Sequence, residues 1–161
     1  MRIWKKLGFG WGYSFIAFFL LGYYFIGHNW TFFVVIYGYV LVPLLDSLVS
    51  KDSQNASQEE YEKLLNDWYF DILVYSHVYI QYFMIGWGCY ILMVDNLTWW
   101  QIVGLFLSQG VYGSTIINVA HELGHRQHPV AKFHSRMALL SVSYMQFFVE
   151  HNRGHHVHVA T

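Results

Sequence analysis

The sequence predicts an all-α membrane protein: about four transmembrane helices, a short surface or interfacial helix, and histidine clusters where the last span ends. Three observations carry this. Charged residues make up 12% of 161 positions, about half the roughly 25% usual in soluble domains. Apolar residues make up 55% and fall into four runs, each near the roughly 20 residues that a bilayer's hydrocarbon core requires. All nine Lys and Arg can be placed on one side of those runs. The same composition excludes other classes. Aromatics at 20% do not suit disorder. A net charge of -1 leaves no basic surplus for phosphates, so no nucleic-acid partner is expected. Cys89 is the single cysteine, so no internal disulfide forms.

The first run, 9–27, is uncharged. Arg2, Lys5 and Lys6 precede it as in a signal peptide, but the run is long and aromatic and no A-x-A site follows, so it reads as a span. The second, 30–49, carries only Asp46, near its end. Positions 50–67 hold five acids and two lysines, too polar to insert, and read as a loop with a short surface helix. The third run, 69–94, has Asp71 at its start and His77 and Gln81 within it, and the fourth, 99–120, has no charge. A cytoplasmic N-terminus puts the links 27–29 and 95–98 outside, both free of Lys and Arg, and all nine basic residues inside. Trp30, Trp99 and Trp100 then stand at outer span ends, where interfacial aromatics belong. The chain turns at Pro129. The apolar stretch 137–149 is too short to span, so an interfacial or partly inserted helix is expected there. His128 and His134, in the turn, read as surface residues. The whole of 1–161 reads as a single transmembrane domain.

Two histidine clusters follow the fourth span, at 121–125 and 150–156. The first is His121-Glu122-Leu123-Gly124-His125. On a helix His121 and His125 share a face, and two imidazoles so placed can grip one metal ion. The second is Glu150-His151-Asn152-Arg153-Gly154-His155-His156. His151 and His155 repeat the i, i+4 pair, and His156 points about 100° away, toward a second metal. Such imidazoles suit iron, zinc, copper or nickel. Histidines left unpaired beside hydrocarbon are costly, so a metal is the favoured explanation. A mononuclear zinc protease has no use for His151, His155 and His156 together, and no Asp follows His125 to complete such a site. Two irons and oxygen activation fit the donor set better.

With these motifs the chain resembles the membrane alkane hydroxylases (alkane 1-monooxygenases), a branch of the membrane fatty-acid desaturases and hydroxylases. The residues concerned are Pro43-Leu44-Leu45-Asp46, Asn118-Val119-Ala120 with His121–His125, and Glu150–His156 with Val159-Ala160-Thr161. The likeness runs from about Trp4 to Thr161. It implies a non-haem di-iron enzyme that hydroxylates terminal methyl groups of alkanes with O2. Rubredoxin and its reductase would supply the electrons, from the cytoplasmic face of a bacterial inner membrane. It further implies that His121, His125, His151, His155 and His156 ligate iron, with Glu122, Glu150 and Asp46 as partners that hold ligands in place. Gly38, eight residues before Asp46, lies about 12 Å deeper on a helix and is expected to leave an alkane channel open to medium and long chains. The family has six spans and further motifs, of the kinds N-Y-x-E-H-Y-G and Q-R-H-S-D-H-H-A, that this chain lacks. An N-terminal fragment is therefore expected, the rest of the site lying in the missing C-terminal part. Arg126 stands where the family usually has Lys. Two rival readings are a fatty-acyl desaturase or hydroxylase with the same metal centre, and a membrane fragment without turnover.

Overall fold

The computed structural model describes residues 3–49, 57–65 and 67–151. All regular elements among them are helical. Four helices are long and apolar enough to cross a membrane: α1 (Lys5–Phe25), α2 (His28–Leu48), α4 (Trp68–Val94) and α5 (Trp99–His125). The short helices are α3 (Gln58–Leu65), α6 (Pro129–Ser141) and α7 (Gln146–Val149). This is an all-α membrane protein, with large apolar side chains such as Phe25, Leu48 and Met93 left open to the surroundings. The span edges fall close to those expected, except that α5 continues without a break through the first histidine cluster.

The chain divides into two compact units. The first comprises residues 1–71 and 95–108. In it α1 tightens to a 3-10 turn over Phe9–Tyr13, and α2 widens to a π turn over Tyr37–Leu41 that contains Gly38. Gly27 links the two helices with φ 123°, a conformation that side-chain-bearing residues rarely adopt. Helices approach closely where glycine faces a ring. The Trp30 indole N–H donates to the Phe18 carbonyl at 2.9 Å, and a Cβ on Gly22 would lie 2.0 Å from that nitrogen. A Cβ on Gly104 would lie 2.6 Å from the Phe32 ring, while the neighbouring Ser108 hydroxyl donates to the Thr31 carbonyl. Thr98 and Gln101 cap the start of α5 reciprocally, as Ser57 and Glu60 cap α3. Before α4, Lys6 pairs with Asp67 at 2.5 Å. That ammonium, with the Tyr69 N–H, holds the Asp67 carboxyl below the usual carboxylate range.

The second unit comprises 72–94 and 109–161. Here α4 and α5 run antiparallel, joined by His77 to Thr115 (3.2 Å) and by the Gln109 amide donating to the Met84 carbonyl (2.8 Å). The chain then turns at Pro129, which suits a first helical position. The N-cap residue, His128, accepts from the Val130 N–H. α6 runs back along α5 rather than away from it. Ser135 donates to the Ala120 carbonyl, and Val142 lies 3.4 Å from where a Cβ on Gly113 would sit. Gly113 is twelve residues before His125, so the hairpin reaches roughly 18 Å back along the span. Ala131, Ser135 and Ala138 are fully buried, and their small side chains allow this approach. The single helix expected over 137–149 is not formed: α6 ends at Ser141, the chain reverses where Ser143 adopts φ 55°, and α7 begins at Gln146, so the stretch belongs to a hairpin.

A second expectation is corrected. His134 is not a surface residue but only 9% exposed. Its Nδ1 lies 2.8 Å from the Val130 carbonyl, which can only accept, so Nδ1 carries the proton. Its Nε2, 2.8 Å from the Tyr79 hydroxyl, therefore accepts. Sequence spacing places His134 in a turn; the packing of α6 against α4, where Tyr75 and Tyr79 meet the ring, buries it.

Candidate metal centre

The first two ligands come from the last turns of α5. Helical spacing alone puts His121 and His125 on one face, and the Nε2 atoms lie 3.1 Å apart. The third comes from the hairpin. α7 continues into a wider π-type turn over residues 150–151, which brings His151 Nε2 to 3.2 Å from His125 Nε2. The His121 and His151 rings stand 4.3 Å apart, and the ligand atoms of all three residues fall within 4.8 Å of one another.

This donor set fits a metal ion. Three imidazole nitrogens at such range cannot all be satisfied by sharing protons among themselves, since each offers either one N–H or one lone pair. A cation with bonds of about 2.1 Å would hold neighbouring ligand atoms about 3.0–3.4 Å apart, which is the spacing of His125 to His121 and of His125 to His151. The rings are partly open to solvent, so an ion has access.

Phe147, one helical turn before His151, stacks on that imidazole at 4.9 Å with the planes 13° apart, and its ring centroid lies 6.4 Å from His121. Tyr144 packs on Phe147 in turn. Phe147 was not singled out from the sequence, though its i–4 spacing to a histidine was there to be read. Ser135, whose bond to Ala120 grips the residue just before His121, left no signal in the sequence.

The other expected site residues are placed as follows. Glu122 is exposed and its carboxylate faces the Arg126 guanidinium at 3.4 Å, so a cation partners it among the described residues. Glu150 is exposed beside His151. Asp46 is exposed on α2 and Gly38 lies in that helix's π turn, both in the first unit. His155 and His156 lie outside the described residues.

No protein-family model matches the chain. It is similar to alkane 1-monooxygenase of Pseudomonas putida, with 34% identity over 139 residues, 83% of this chain and 35% of that enzyme. It is similar also to alkane 1-monooxygenase 1 of Alcanivorax borkumensis, at 32% over 146 residues, 88% of this chain and 36% of that protein. Alkane 1-monooxygenase 1 of Pseudomonas aeruginosa is 35% identical over 135 residues, 82% of this chain and 35% of that protein. The chain spans about a third of the length of these curated relatives.

Proposed function

We propose that this chain, which belongs to the alkane 1-monooxygenase family as a segment of about a third of such enzymes' length, carries part of the catalytic centre of an integral-membrane di-iron monooxygenase. The whole protein would hydroxylate terminal methyl groups of medium- to long-chain n-alkanes, using O2 and electrons from rubredoxin and its reductase. The observation that carries this reading is the convergence of three Nε2 atoms, from His121, His125 and His151, at the end of a membrane span.

Two non-haem irons, when bound, would supply the reductive activation of O2. The chain's own residues have simpler tasks. His121, His125 and His151 offer Nε2 lone pairs from a shared face, and His155 and His156 are proposed to complete the ligation. A ligand histidine needs its other nitrogen held by an acceptor or water to fix the tautomer. Glu122 and Glu150, each next to a ligand in sequence, are proposed for that role. Phe147 backs His151 with an apolar ring and limits water at that side of the site. An alkane has no polar handle, so its selection rests on the shape of an apolar channel, with Gly38 proposed as an open point in the wall. The site is proposed to face the cytoplasm from the bacterial inner membrane. A cytoplasmic N-terminus would put all nine basic residues of the sequence on that side, which supports this orientation.

The test is iron content and product analysis of the purified full-length protein with rubredoxin, its reductase, and n-alkanes. Iron near two equivalents and terminal alcohols support the reading. Iron-loaded protein that leaves alkanes untouched but desaturates or hydroxylates acyl chains overturns it.

A further inference from the structure

We propose that Tyr82 and Ser135 are positioning residues that set where His151 meets His121 and His125; this rests on the metal-centre reading. His121 and His125 are placed by one helix, but His151 reaches them only by way of the hairpin. From Tyr144, at the reversal, the chain climbs seven residues to His151, roughly 10 Å. The depth of α6 beside the spans therefore decides the position of the third ligand. A slip of one residue moves a helix about 1.5 Å, whereas metal–ligand distances tolerate only about 0.2 Å.

Two bonds oppose such a slip. The Tyr82 hydroxyl donates to the Met137 carbonyl at 2.9 Å, and the buried Ser135 hydroxyl donates to the Ala120 carbonyl at 2.7 Å. Both acceptors lie inside helices, where a carbonyl has a second lone pair beyond its helical bond. Both donors are tied to the site's geometry. Ser135 fastens α6 to the residue preceding His121. Tyr82 reaches back toward the His125 end of the helix pair because side chains on α4 lean toward that helix's N-terminus. Tyr82 thus ties α4 to the middle of α6, and Ser135 ties α5 to the same helix two residues earlier. The packing of Val142 at Gly113 resists sliding by shape, but the two hydroxyls supply the directional bonds.

The test uses the full-length protein with cobalt(II) as probe, following the part of cobalt binding that His121→Ala removes. The double variant Tyr82→Phe/Ser135→Ala keeps the ring and a small buried side chain. It is expected to bind that cobalt at least ten-fold more weakly, with a changed ligand-field absorption, while the apo-protein's thermal midpoint falls no further than that of Gly104→Ala. If the double variant does not fold, the single variants are each read the same way, with a several-fold weakening expected. Gly104→Ala, in the other unit, is the control for general destabilisation. Parent-like cobalt binding by the hydroxyl variants, while His121→Ala abolishes it, overturns the positioning role and leaves the metal centre standing. Equal weakening by Gly104→Ala also overturns it. If His121→Ala binds cobalt as the parent does, the metal-centre reading itself falls.

Discussion

Replacing His134 by alanine should destabilise the protein substantially. Its ring makes two hydrogen bonds of 2.8 Å and meets the Tyr75 ring edge-on at 4.9 Å. Each bond contributes about 0.5–1.5 kcal/mol net, and an aromatic pair about 0.5–1.5 kcal/mol beyond its area. Alanine also leaves a void beside Ala131 and Ala138, which are fully buried in the same helix. The total is about 2–4 kcal/mol, which in a protein of this size lowers the unfolding midpoint by on the order of 10 °C. His134→Phe keeps the packing and loses both bonds. Its cost should be about 1–2 kcal/mol, because Tyr79 is largely exposed and its hydroxyl can find another partner. The assay is thermal unfolding of the purified protein in detergent, followed by intrinsic fluorescence. The order parent, Phe, Ala is expected. A midpoint for His134→Ala within a degree or two of the parent would refute the reasoning and return His134 to the surface.

On the proposed function, His121→Ala in the full-length protein should abolish alkane hydroxylation and lower iron content together; full iron with lost activity would place His121 outside the ligand set. Gly104→Ala drives a methyl into the Phe32 ring and should cost about 1–3 kcal/mol in the same unfolding assay, and a neutral result would contradict that close approach. Gly38→Trp should shift the substrate profile toward shorter alkanes with expression and iron content kept, whereas an equal loss at all chain lengths would mean that glycine serves only helix packing. Asp67 has a lowered carboxyl pKa, so its link to Lys6 stabilises the fold above the unfolded-state value of about 3.9 and is lost as pH falls through the lowered one. Asp67→Asn should therefore lower the unfolding midpoint at neutral pH, with the difference closing below about pH 4; a gap that persists in acid would show that the contact is not ionic.

The four spans were legible because crossing a bilayer needs length and apolarity, both local properties of the chain, and each helix falls within a few residues of the run that announced it. The pairing of His121 with His125 was legible for the same reason, since 3.6 residues per turn puts them on one face. The surface helix of 58–65 and the turn at Pro129 belong with these. The return of α6 along α4 and α5, and with it the burial of His134 against α4 and of Ser135 against α5, was not legible. Whether a 13-residue helix lies flat, stands away or folds back is decided by contacts between residues far apart in sequence, here Val142 at Gly113 and Tyr82 at Met137. Composition carried no trace of those contacts, because alanine, serine and tyrosine serve equally well on an exposed helix. The union of His151 with the first pair belongs here too. The sequence announced five histidines that could bind a metal, and only the hairpin's depth, set by packing across the twenty-five residues between His125 and His151, brought the nitrogens of His121, His125 and His151 together.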